Sequence, residues 1–184
     1  MNLLGATWGV EPAETAIVFP CDRLDGGFEA DYYRGVTVHA LPATVFRWLC
    51  QLRAAPYSYD WVDNWGRRSP RNLIPGLENL AVGQTVMTIF DLVDFESESH
   101  LTIRIKPDSP AWRLFGDVAG SYLIVPGSGD GCRLLAKLRV RYPKGLKGHL
   151  MRAVLPSGDL VMMRRQLLNL KALAETSSAP AGVL

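Results

Sequence analysis

The stretch Cys132 to Tyr142 constrains the fold more tightly than any other part of the chain. In it Leu134, Ala136, Leu138 and Val140 alternate with Arg133, Leu135, Lys137, Arg139 and Arg141. A period of two sends successive side chains to opposite faces of a pleated backbone. One face is apolar and the other largely cationic, which predicts an antiparallel sheet with one side on the core and one in water. The same period runs through Thr85 to Val93 and His100 to Lys106, predicted as a hairpin that turns near Glu96, Ser97 and Glu98. Ser121 to Val125 is predicted to pair with the last strand across residues 126–131, a Gly- and Asp-rich turn. Tyr32 to Ala40 supplies a further strand, which Pro42 stops.

Helical spacing brackets these strands. Pro42 suits the first turn of a helix, and Val45, Trp48, Leu49 and Leu52 then fall on one face. Tyr57 to Leu80, punctuated by Gly66, Pro70, Pro75 and Gly76, reads as irregular. After the strands, Leu146, Leu150, Ala153 and Val154 form an apolar stripe that Pro156 interrupts. Asp159 is then a plausible N-cap for a closing helix with Leu160, Met163, Leu167, Leu170 and Ala174 on one stripe. The predicted class is α+β, with a curved antiparallel sheet covering one major helix. Residues 1–26 read as an irregular N-terminal segment, 27–175 as the domain, and 176–184 as a flexible tail.

Composition narrows the function. With 20 basic and 18 acidic residues among 184, the net charge of +2 excludes a strongly cationic nucleic-acid grip. No apolar run approaches the roughly 20 residues that span a bilayer, and the N-terminus does not resemble a signal peptide. Cytoplasm is the expected address, without integral membrane association. The three cysteines, Cys21, Cys50 and Cys132, are widely spaced and read as small buried hydrophobes. Asp91, Asp94, Glu96 and Glu98 with His100 resemble a cation site, but a solvated hairpin edge carries the same pattern. His149, between Leu146 and Leu150, reads as structural. G-x-S-x-G and G-x-G-x-x-G are both absent, so neither a nucleophile elbow nor a phosphate-cradling loop is supported. No metal or cofactor is expected.

Trp48, Tyr57, Tyr59, Trp61 and Trp65 crowd into one short stretch. Aromatic residues with polar tips suit a pocket wall, although Trp48 shares the helical spacing of core residues. The cationic strand face reads as the wet side of the sheet, with anionic headgroups as a lesser alternative.

Two stretches carry a family resemblance. The run from Val36 to Leu49 (VTVHALPATVFRWL) resembles the opening of domains in the START-like superfamily, also called SRPBCC or the polyketide cyclase/dehydrase and lipid-transport group. The run from Tyr57 to Asn64 (YSYDWVDN), followed by RNLIP at 71–75 and LAVG at 80–83, looks like one bacterial branch of it. The resemblance implies the helix-grip fold: an antiparallel sheet wrapped around a long C-terminal helix with an internal cavity. It also implies an apolar small-molecule ligand such as a lipid, polyketide or aromatic compound. On that reading Tyr57, Tyr59, Trp61 and Trp65 form a rim, Tyr122, Met163 and Leu167 line the interior, and Arg164 is a polar anchor at the cavity mouth. A cyclase or dehydratase and a protein-interaction module are the alternatives. An enzyme needs a proton-transfer group aimed into the cavity, and Tyr57, Tyr59 and Asp60 are the nearby candidates.

Overall fold

The alternating stretch lies at the centre of a seven-stranded sheet. The computed structural model describes residues 5–59, 66, 68–127 and 129–178. Its strands are β1 (Thr7–Trp8), β2 (Ala30–Val38), β3 (Thr85–Val86), β4 (Phe90–Glu96), β5 (His100–Ile105), β6 (Asp117–Pro126) and β7 (Cys132–Arg141). They are ordered β1-β2-β7-β6-β5-β4-β3. Every pairing is antiparallel except the two-residue contact of β1 with β2. The helices are α1 (Pro42–Cys50), α2 (Pro110–Phe115) and α3 (Leu146–Ser178). The architecture is the expected helix-grip: an open sheet curved over a long C-terminal helix.

Register sorts the side chains. Val36, Leu134 and Ile124 are successive neighbours on the inner face, as are Arg34, Ala136, Tyr122 and Leu101. The inner residues join Trp48, Leu49 and Leu52 from the α1 region and Leu167, Leu170 and Ala174 of α3 in one core. The indole of Trp48 donates to Ser177 Oγ at 3.1 Å, tying α1 to the end of α3.

Five expectations are corrected. The stretch 85–93 is not one strand, because Met87 and Thr88 adopt positive φ and turn the chain between β3 and β4. α2 is additional, started by Ser109, whose hydroxyl accepts from the Trp112 amide at 3.0 Å. Pro156 does not divide the closing helix: α3 runs unbroken from Leu146 to Ser178, so Asp159 is interior to it and caps nothing. The stripe of Leu146, Leu150 and Val154, with His149, faces outward, while Met151 and Leu155 pack inward.

The fifth correction is the largest. The cationic face of β7 is not the wet side of the sheet, because the N-terminal segment crosses it. Phe19 and Cys21, with Val10, Ile17 and Leu24, pack on Leu135, Leu123, Val125 and Tyr33. Beside them the cations find acids: Lys137 meets Asp22 at 2.6 Å and Asp31 at 3.2 Å, and Glu14 takes two bonds of 2.7 Å from Arg133. Burial opposes the charge on Lys137, yet the bonds its ammonium donates to Asp22 and Tyr33 hold it above the ordinary lysine range. Among the described residues no helix is long and apolar enough to cross a membrane.

Candidate functional site

The space between the sheet and α3 is where a helix-grip protein can hold a molecule. Under the sheet, register sets Ile103, Gly120 and Leu138 side by side, next to Tyr122 and Ala136. Gly120 has no side chain and Ala136 only a methyl group, so a hollow forms there, with Met163 of α3 against it. Its volume is only about 10 Å³. That is room for roughly one water. Among the described residues the expected oily cavity is therefore nearly closed, because Tyr122, Met163 and their neighbours fill it.

The surrounding interior is unusually polar. The Tyr122 hydroxyl donates to Gln166 Oε1 at 2.6 Å and lies 3.8 Å from the Met163 sulfur. Gln166 Nε2 in turn donates to the Pro56 carbonyl at 2.6 Å. Burial raises the Tyr122 phenol above its ordinary range, and the charge of Asp159 adds to the shift. On β2, one strand beyond Ala136, Arg34 points to the same face and is 1% exposed. Its Nη1 donates to the carbonyls of Ala6 and Tyr33 at 2.8 and 2.9 Å, and its Nη2 to Asp159 Oδ2 at 2.7 Å. Its Nε has no partner among the described residues. Burial pushes the Asp159 carboxyl up to about 6, against the pull of Arg34. The Tyr32 ring lies 5.7 Å from the guanidinium, and its hydroxyl is bonded to that of Tyr142.

The structure brings only part of the expected set together. Tyr122, Met163 and Leu167 lie beneath the sheet. Tyr57 is buried outside the hollow, edge-on to Trp48 at 6.2 Å, with its carbonyl accepting from Asn169. Tyr59 is 36% exposed, with the Arg165 guanidinium 6.0 Å from its ring. Trp61 and Trp65 lie outside the described residues, as does Asp60. Arg164, expected at the cavity mouth, is exposed, with its guanidinium 5.5 Å from the Trp8 ring. The buried guanidinium is Arg34, which sequence reasoning missed. Its signal was parity: Tyr32, Arg34, Val36 and Val38 share one face of β2.

Two other features are distinct from this interior. An open groove of about 440 Å³ lies at the β6–β7 turn, lined by Thr37, His39, Asp130 and Arg133 among others. In the acidic run, His100 meets Asp94 at 3.0 Å and Glu96 at 3.8 Å. Among the described residues no group of three or more His, Cys, Asp or Glu is arranged to hold a metal.

Fold and interior together define a helix-grip protein with a closed, partly polar centre. No family model matches the chain, and no curated protein matches it. Among solved structures it is similar to a hypothetical protein from Helicobacter pylori, with a TM-score of 0.55 and 16% identity over 86% of this chain and 95% of that one. It is also similar to norcoclaurine synthase from Thalictrum flavum, with a TM-score of 0.49 and 11% identity over 84% and 100%. A Chromobacterium violaceum protein has a TM-score of 0.49 and 15% identity over 79% and 96%. At 16% identity the likeness to the Helicobacter pylori protein is one of fold.

Proposed function

We propose that this chain binds an apolar or amphiphilic small molecule between its sheet and α3. The observation that carries the reading is the polar interior. A core built only for stability has no need of a buried Arg34–Asp159 pair beside a hollow, since apolar groups of similar volume do as well or better. Polar groups converging on an apolar space orient ligands. Burying about 300 Å² of ligand apolar surface at about 25 cal/mol/Å² contributes about 7 kcal/mol before association costs. That gain has to exceed the cost of displacing the side chains that now fill the space.

Native mass spectrometry with solvent extraction of the protein as expressed tests the reading, paired with titration by Nile red, an uncharged apolar dye. Expected are a copurifying small molecule or saturable dye binding that the molecule displaces. Bare protein together with no saturable dye signal would defeat the proposal. One observation favours a second reading, a cyclase- or dehydratase-like enzyme: a carboxyl pushed up to about 6 can move protons near neutral pH. Turnover of an extracted molecule by the wild type and not by Asp159→Asn would select it.

A further inference from the structure

Arg34 is a cation with an incomplete partner. A guanidinium presents Nε and one Nη side by side, a fork that a carboxylate fills with two parallel bonds. Asp159 fills half of it: Oδ2 meets Nη2, and Nε is left unbonded although the side chain is 1% exposed. Asp159 is tethered to α3, so its carboxylate goes where the helix backbone carries it. Arg34 is held in place independently, by two backbone carbonyls on Nη1. Removing Asp159 therefore leaves an oriented, desolvated fork with both positions free. Ala136 and then Tyr122 follow Arg34 in register along the face that holds the hollow. Met163 borders that hollow, and its unbranched thioether side chain can adopt other rotamers and enlarge it.

From this geometry we infer that Arg34 is the anchor for the carboxylate of an amphiphilic ligand, and that Asp159 holds its place until the ligand arrives. The inference rests on the ligand-binding reading above and names the ligand class: an aliphatic or aromatic chain ending in one carboxylate. The incoming carboxylate spans Nε and Nη2, and the apolar body takes the space beneath Gly120 and Ala136. Asp159, deprived of its cation, takes one proton from solvent, so charge is conserved in the interior. The groups facing Asp159 agree with that exchange. They are Arg34 and Tyr32 from β2 and Tyr122 from β6, and neither phenol supplies a compensating positive charge.

Isothermal titration of the full chain with dodecanoate and with 1-dodecanol tests the inference, using two buffers of different ionisation enthalpy. At pH 7 dodecanoate is expected to bind at least tenfold more tightly than dodecanol, with uptake of about one proton. Its affinity is expected to fall up to about tenfold per pH unit above 7. Asp159→Asn should bind dodecanoate more tightly than wild type and without proton uptake. Arg34→Met/Asp159→Leu, which replaces the pair by apolar groups and so preserves the fold, should keep dodecanol binding and lose the preference for dodecanoate. Equal affinities for the two probes, a preference that survives in the double variant, or dodecanoate binding without proton uptake each overturn the inference and leave ligand binding intact. Failure of both dodecyl probes also overturns it; failure of Nile red as well brings down the parent reading with it.

Discussion

Arg34 and Asp159 are unequal partners, and the inequality is measurable. The guanidinium stays charged at any accessible pH, whereas the Asp159 carboxyl titrates near 6 because burial outweighs its ion pair. In the unfolded chain an aspartate titrates near 3.9. Between those values the folded state holds the extra proton, so this group's contribution is present below about pH 4 and lost as pH rises towards 6. From pH 4 to pH 7 the wild type is therefore expected to lose about 2 kcal/mol relative to Arg34→Met/Asp159→Leu, read as the difference between their urea unfolding free energies. A constant difference would show that Asp159 is ionised throughout. The single variants should separate as well. Arg34→Met leaves a carboxyl that can escape by protonation, while Asp159→Leu strands a permanent charge. Asp159→Leu is thus expected to cost about 3–5 kcal/mol at pH 7, and Arg34→Met distinctly less.

At the scale of elements, the N-terminal segment completes the sheet from the side opposite α3. Phe19 is 1% exposed and packs on Leu135 with Cys21, and Lys137 lies within 5.9 Å of its ring. Phe19→Ala is expected to cost about 3–5 kcal/mol in urea unfolding, as for a core aromatic. A loss below about 1 kcal/mol would mean that the segment is only loosely applied. The same element marks how far the fold was legible in the sequence. The inner face was readable because Leu134, Ala136, Leu138 and Val140 answer to a period of two and Met163, Leu167, Leu170 and Ala174 to a helical one. The outer face was misread because what covers it has no period. Glu14 and Asp22 reach Arg133 and Lys137 from more than a hundred residues away, and no local pattern announces such a partner. Pro156 misled in a different way. A proline usually ends a helix, but here it is buried against the chain near Gly5, and tertiary packing holds α3 continuous. For the site, the missed signal was a matched pair of anomalies. Arg34 sits on an apolar strand face and Asp159 on the apolar stripe of α3, four residues before Met163; each makes sense only beside the other.

For the molecule as a whole, the sheet and α3 form a grip that is now closed on itself. The hollow of about 10 Å³ admits roughly one water, so any ligand enters by displacing side chains. Of the residues around it, Ile103 and Leu138 are fixed to the sheet, and Tyr122 is tied to Gln166. Met163 is only partly buried and contributes a flexible side chain whose loss breaks no strong hydrogen bond. Met163→Ala therefore widens the hollow without dismantling the polar network. Two opposed effects are expected from this one change. Unfolding in urea should become easier by about 2 kcal/mol or more, because the lost methylenes leave a void that the sheet cannot collapse into. Nile red should bind more tightly than to wild type, because part of the displacement cost has been removed in advance. A variant that is merely damaged would lose stability and gain dye only at unfolding denaturant concentrations. The two cases separate when dye binding is measured in native buffer, alongside a near-ultraviolet circular dichroism spectrum that must match that of the wild type. Loss of stability with no gain in dye affinity would show that Met163 packs a solid core and guards no binding space, and the grip would then have to be read as a scaffold.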